Sequence, residues 1–295
     1  MRRLSFRPQR TLARSTDVPG VGFVTGAQVR LRFCPAPADT GVVFVRTDLH
    51  SRPPIPAHFD AVTGAQRRTT LGTAPNQVTL VEHVLAALAG LRVDNCVVEL
   101  DGPEPPGLDG SARGFVAALV EAGIILQNSR RPVWAATEPV TVRQGGATLT
   151  LHPAQAVGLR ISYLLDYGLG APLAPQVHSE PIVPEHFEHE LAPCRTFVLE
   201  DEAHDLQRRG IGRHLKPKEL LVFGRRGPID NRLRKTDEPA RHKILDIVGD
   251  LALCGFDLAG HVVACRSGHE LNVALARTLG NAVRCATRRP MRLAA

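Results

Sequence analysis

The chain has 295 residues, 43% of them hydrophobic and 22% charged, the balance of a globular protein with one large core or two of ordinary size. No window approaches the roughly 18 consecutive apolar residues of a membrane span, and the basic start "MRRLSFRPQRTLARS" has no apolar run of signal-peptide length, so a cytoplasmic protein with no transmembrane segment is expected. A net charge of +7 suits nucleic acid, anionic lipid or a phosphorylated small substrate, but the densest basic segments (208–218, 224–235 and 284–292) carry no nucleic-acid motif and aromatics are only 4%, so nucleic acid is not expected as a partner.

In chain order, aliphatic and β-branched runs predict strands at "QVRLRF" (28–33), "TGVVFVRT" (40–47), "NCVVELDG" (95–102), "ATLTLHP" (147–153), "GLRISYLLDY" (158–167) and "HVVACRSG" (261–268). Helical periodicity predicts helices at 80–91, 111–123, 240–255 and 270–283. Strands and helices in this order point to an α+β protein rather than a regular βαβ array. A shift of 160 residues lays "EHVLAALAGL" (82–91) on "HKILDIVGDL" (242–251), pairing Val84 with Ile244, Leu85 with Leu245, Leu88 with Val248 and Leu91 with Leu251. That weak repeat suggests duplicated halves, with a division near 126–134 into units 1–128 and 129–295. A Pro- and His-rich stretch, 170–190, is expected to break regular structure. The six cysteines (34, 96, 194, 254, 265, 285) form no CxxC and read as small buried groups in a reducing compartment.

Three segments can carry chemistry. In the 240–255 helix, Ile244, Ile247, Val248 and Leu251 form the apolar stripe, and His242, Asp246 and Asp250 fall on the other side at steps of four. That spacing lets an imidazole and a carboxylate share one metal ion, and equally describes a solvated face with a weak ion pair. The 80–91 helix is apolar on nearly every side and so buried, with only Glu82 and His83 polar near its start. Buried, they must be paired or bound to metal. Thr79-x-x-Glu82 also reads as a capping box, and His83 as a satisfied core histidine. In "SGHELN", His269 sits at a turn after a strand, where an exposed histidine is either catalytic or plain surface. Thr196, in "PCRTFVLEDE", says nothing alone.

Taken together these segments resemble one family: the UDP-3-O-acyl-N-acetylglucosamine deacetylases, zinc amidases of lipid A synthesis. The resemblance rests on "QRTL", "GVGFVTG", "PAPADTGVVFVRTDL", "VEHVLAALAGLRVDN", "LDGSARGFV", "CRTFVLEDE", "RHKILDIVGDLALCG" and "RSGHELN", nearly end to end. It implies zinc ligands at His83, His242 and Asp246, a general base at Glu82, a proton donor and charge stabiliser at His269 oriented by Asp250, and an oxyanion-holding hydroxyl at Thr196. It also implies substrate contacts at Lys243 and Gly268, with Tyr167 stacking on uracil and Leu71 near the sugar; Phe197, beside Thr196, is expected to contact substrate too. Iron(II) can replace zinc in such a His₂Asp site. The implied fold is two similar α+β domains with helices between two sheets, the active site where they meet, and an inserted βαβ segment at about 198–232 lining an acyl tunnel. The sequence departs from the family at Leu80, at Val24 and within 211–231. A monomer acting on a small acylated UDP-amino sugar is expected. The rival readings are a zinc amidase of the same fold on another acetylated nucleotide sugar, and a metal-free basic binding protein.

Overall fold

The computed structural model of the chain describes residues 1–216 and 219–288, so the ends of two basic segments, 217–218 and 289–292, lie outside the described residues. The first half forms strands β1 (Arg2–Leu12), β2 (Thr16–Val21), β3 (Gln28–Pro35), β4 (Val42–Arg46), β5 (Ile55–Pro56), β6 (Val62–Gly64), β7 (Thr70–Thr73) and β8 (Asn76–Thr79), then helix α1 (Glu82–Gly90), β9 (Cys96–Leu100) and α2 (Arg113–Ala122). The second half forms β10 (Ile124–Ala135), β11 (Val140–Gln144), β12 (Ala147–His152), β13 (Leu159–Leu165), β14 (Gln176–Pro181), α3 (Pro184–His186), β15 (Phe197–Leu199), α4 (Glu200–Arg208), β16 (Leu221–Gly224), β17 (Gly227–Pro228), α5 (Glu238–Ala252), β18 (Asp257–Cys265) and α6 (His269–Arg288). The protein is α+β.

Alternation explains the sheets. In β3, Val29, Leu31 and Phe33 turn inward while Gln28, Arg30 and Arg32 face solvent. One five-stranded sheet runs β2-β3-β9-β4-β5; a seven-stranded sheet runs β1-β10-β18-β12-β11, with β13 beside β18 and β14 on β13. The same succession occurs twice: β9 follows α1 and lies between antiparallel β3 and parallel β4, and β18 follows α5 and pairs with antiparallel β12 and parallel β13. Helix α2 packs on β2, and α6 on β11 and β12. Helices α1 and α5 pack on each other, and one hydrophobic core continues through both halves.

Two sequence expectations need correction. Residues 170–190 do not lack regular structure: β14 lies there, paired with β13 over six positions, because Pro172 and Pro175 precede it, Pro181 is its last residue and Pro184 follows it. Segment 126–134, read as a division, is the body of β10, which pairs with β1 and, through Val133–Ala135, with β18. The N-terminal strand thereby joins the sheet of the second half. Arg7 and Arg131 fasten this junction. Arg7 reaches Asp94 at 2.7 Å and Asp257 at 2.5 Å, and Arg131 reaches Asp257 at 2.7 Å and Asp94 at 3.1 Å.

The fold brings α1 and α5 together through a missing side chain. A Cβ built on Gly249 would lie 2.1 Å from the Glu82 carbonyl oxygen, far inside van der Waals contact. Gly249→Ala is therefore expected to destabilise the protein by about 1–3 kcal/mol through overpacking and to lower turnover further by displacing Glu82. Thermal midpoints and initial rates measure both, and an alanine variant matching its parent in each would remove the constraint. The junction supplies a pH dependence. Burial alone would raise the Asp257 carboxyl, but hydrogen bonds and charge from Arg7 and Arg131 hold it below the ordinary 3.8. The bridge thus stabilises above that range and is lost as pH falls through about 4 and below. An Asp257→Asn variant is expected to show a shallower loss of stability between pH 5 and 3, read by urea midpoints.

Candidate active site

The first turns of two helices, α1 and α6, and the middle of a third, α5, converge on one cavity of about 780 Å³. Leu80, with φ +58°, turns the chain sharply out of β8 and aims Glu82 and His83 from the first turn of α1. Helix α5 supplies His242, Lys243, Asp246 and Asp250 from successive turns, and α6 opens with His269.

His83, His242 and Asp246 form a compact donor set, with one potential ligand atom from each within 4.8 Å of the others. The Asp246 Oδ1 atom stands 3.4 Å from His242 Nε2 and 3.6 Å from His83 Nε2, and it is buried with no hydrogen-bond partner. Its other oxygen accepts from Lys243 Nζ at 2.9 Å. A buried carboxylate oxygen left bare costs free energy, and a cation between these three groups would satisfy it. The residues fit a metal ion: His242 Nδ1 lies 3.0 Å from the Cys194 carbonyl, which fixes the tautomer with Nε2 bare toward the set. Burial lowers the His242 pKa to about 3, so the ring is neutral and able to ligate. Burial acts the other way on Asp246, but Lys243, His242 and His269 outweigh it and hold the carboxyl well below its usual range.

Beside this set sits a second constellation. The Glu82 side chain is buried, accepts a hydrogen bond from the Thr69 backbone N–H at 3.0 Å, and is pushed toward higher pKa chiefly by burial. Its Oε1 lies 3.8 Å from His269 Nε2. The opposite nitrogen of His269 is 2.8 Å from Asp250, which also accepts from Thr69 Oγ1 at 2.6 Å and from Asn272 at 2.9 Å. Burial would lower the His269 pKa, but Asp250, Glu82 and Asp246 overcome it and raise it to about 9. Thr196 lines the cavity, its backbone tied to Gly110 and Leu221.

The structure brings Glu82, His83, Thr196, Lys243, Asp246, Gly268 and His269 to the cavity, with His242 and Asp250 directly behind. Tyr167 and Phe197 line it too, ring against ring at 6.2 Å, with Lys243 Nζ 5.5 Å from the centre of the Phe197 ring. Leu71 is a correction. It is fully buried in the small sheet β6-β7-β8, paired with Val62 and Val78, and is not among the described residues that line this cavity. The capping box is another: α1 starts at Glu82 itself, so this carboxylate cannot bridge back from the third position and bonds Thr69 instead. His269 is not an exposed loop residue but the first residue of α6, 7% exposed. The polar face of α5 is likewise not solvated; His242, Asp246 and Asp250 are as buried as its apolar stripe. Sequence reasoning missed Thr69 and Asn272. Asn272 stands one helical turn from His269, a spacing that signals a shared partner; Thr69 left no signal.

Away from the metal set, the cavity extends along the βαβ unit made by β15, α4 and β16, whose strands pair in parallel. Here Phe23, Phe115, Val198, Leu206, Leu220 and Val222 give it an apolar wall, and Arg67, Arg68 and Arg266 stand along another side.

Two imidazoles and a carboxylate with a buried acid and a buried acid-held histidine alongside define the class of metal-assisted hydrolases. The family model for "LpxC: UDP-3-O-acyl N-acetylglycosamine deacetylase" matches residues 9–281. The chain is 39% identical to the UDP-3-O-acyl-N-acetylglucosamine deacetylase of Trichormus variabilis, over 92% of this chain and 98% of that protein. It is equally 39% identical to the enzyme of that name from Chlamydia caviae, over 92% and 97%. It is 37% identical to the bifunctional enzyme LpxC/FabZ of Chlorobaculum tepidum, over 92% of this chain and 64% of that protein's length. The chain belongs to the LpxC deacetylase family and is an enzyme of that class.

Two variants separate the constellations. His242→Ala is expected to lose bound metal and nearly all turnover. Asp250→Asn is expected to keep its metal and lose turnover on the order of 10²-fold, because His269 loses its orienting acceptor. Elemental analysis beside a rate assay reads both, and metal loss in Asp250→Asn would merge the two groups into one.

Proposed function

We propose that this chain hydrolyses the N-acetyl group of UDP-3-O-acyl-N-acetylglucosamine, releasing acetate and leaving UDP-3-O-acyl-glucosamine for lipid A biosynthesis. The observation that carries the reading is the bare Asp246 Oδ1 between the imidazoles of His83 and His242, at 3.6 and 3.4 Å, with the other oxygen of the same carboxylate 3.8 Å from His269 Nε2. The ion we assign to His83, His242 and Asp246 is zinc, with iron(II) as the substitute; when bound it supplies Lewis acidity for the acetamide carbonyl and acidifies water.

The chain's own residues then divide the work. Glu82, its second oxygen anchored on Thr69, takes the proton of the attacking water. As the carbonyl carbon becomes tetrahedral, charge grows on its oxygen, and the Thr196 hydroxyl and the His269 Nε2–H stabilise it. Asp250 holds His269 by Nδ1, so its Nε2 faces the reacting centre with a proton to give to the departing amine. Lys243 neutralises Asp246 from the far side and offers charge to the diphosphate, as do Arg67, Arg68 and Arg266 at the rim. Tyr167 and Phe197 offer faces to the uridine, and the apolar wall along β15, α4 and β16 takes the acyl chain. That wall favours a 3-O-acylated substrate over another acetylated nucleotide sugar. Six free cysteines and the lack of any described helix long and apolar enough to cross a membrane agree with a cytoplasmic enzyme.

Acetate release from UDP-3-O-acyl-N-acetylglucosamine, from its unacylated parent, and from the first substrate with chelator tests this. The expected order is fast, at least tenfold slower, and abolished until zinc is restored. Equal rates on both substrates would favour the broader amidase; rates indifferent to chelator would overturn the metal site. Thr196→Ala is expected to cost on the order of 10²- to 10³-fold in kcat with KM little changed.

A further inference from the structure

At the far end of α1 and α5 lies a second cavity of about 790 Å³, as large as the first. It falls within the roughly 300–1,000 Å³ of small-molecule sites. Its walls come from the later turns of both helices, through Leu85, Leu88, Val248 and Leu251, and from Phe256 just before β18. Phe6 and Val157 also line it and are 45% and 61% exposed, so apolar surface stays open to water around a concavity.

The described lining of this cavity carries four arginines, Arg7, Arg92, Arg131 and Arg284, against three aspartates, Asp60, Asp94 and Asp257. Arg7 and Arg131 are engaged by Asp94 and Asp257, and Arg284 by Asp60. Arg92 lines the same cavity, yet among the described residues its side chain makes no hydrogen bond or ion pair. It follows the cap of α1 with φ +59°, a conformation that favours glycine or asparagine. Burial and then the neighbouring Arg7 make its guanidinium a weaker base than usual. Asp257 and Asp94 act on it in the opposite direction, but both are already engaged by Arg7 and Arg131, so this half-buried guanidinium has no carboxylate of its own and an added anion would pair with it.

We propose that this cavity is a second ligand site, one that takes a small single-chain amphiphile with an anionic head: the chain along Leu88, Val248 and Leu251, the head on Arg92. A neutral apolar ligand would leave Arg92 unmatched. The chain's own last residues, 289–295, carry Arg289 and Arg292 and would bring like charge to it. The site stands apart from the catalytic cavity and does not depend on the deacetylase reading.

Photolabelling with diazirine-bearing dodecanoate, mapped by peptide mass on the full chain, tests the proposal. The parent is expected to be labelled within 85–93 and 248–258. Arg92→Gln should lower that labelling at least tenfold while Arg92→Lys retains it, and diazirine-bearing dodecanol, which has no charge, should label at least tenfold more weakly. Labelling within 198–222, thermal midpoint and deacetylase turnover should be the same in Arg92→Gln as in the parent. Absence of label at 85–93 and 248–258 in the parent overturns the site, and so does label that persists in Arg92→Gln. Labelling that requires removal of residues 289–295 assigns the cavity to the chain's own end and overturns it too.

Discussion

The site exists because two buried helices touch backbone to backbone. Where α5 passes α1, Gly249 presents no side chain and the Glu82 carbonyl occupies that space. This contact brings a pair of adjacent residues on one helix, Glu82 and His83, against three residues spaced by turns on the other. A larger residue at 249 would part the helices by more than a coordination bond tolerates. The two sheets and their shared core serve to hold this crossing, and the Arg7, Arg131, Asp94 and Asp257 cluster closes the seam at its far side.

Electrostatics then sort the roles of side chains packed within a few ångströms. Each oxygen of Asp246 has a different fate: Oδ2 goes to Lys243 and Oδ1 stays free. Two of the three site histidines have one nitrogen fixed from behind, His242 by a backbone carbonyl and His269 by Asp250. A carbonyl leaves an imidazole neutral and suited to a metal; a carboxylate keeps it protonated and suited to growing negative charge. The distinction between ligand and proton donor at His242 and His269 is thus set by what stands behind each of these two rings.

Much of this is legible in the sequence. Helix α1 lies within the expected 80–91, α2 within 111–123, and α5 begins two residues before the expected 240, because their apolar periodicity is strong. Step-four spacing marked His242, Asp246 and Asp250, and full burial of α1 forced a role on Glu82 and His83. What escaped has physical reasons. β10 carries Asn128, two arginines and Pro132 and pairs on both edges without an apolar pattern. β14 hides among prolines that lie before its first residue, at its last and after it. Thr69 is recruited by a backbone donor and a hydroxyl, contacts that no periodicity announces. Leu71 was carried by resemblance alone, and the core claimed it. His269 was misjudged as exposed because the serine–glycine turn before it suggests a loop, whereas that turn starts a helix.

The central claim is that His83, His242 and Asp246 share one ion. X-ray absorption at the metal edge of the purified protein tests it most directly. The expected result is about one metal per chain, with two imidazole nitrogens at roughly 2.0–2.1 Å and a carboxylate oxygen at roughly 2.0–2.2 Å. A spectrum with sulfur ligands, with a single imidazole, or with no stoichiometric metal in active protein would contradict it.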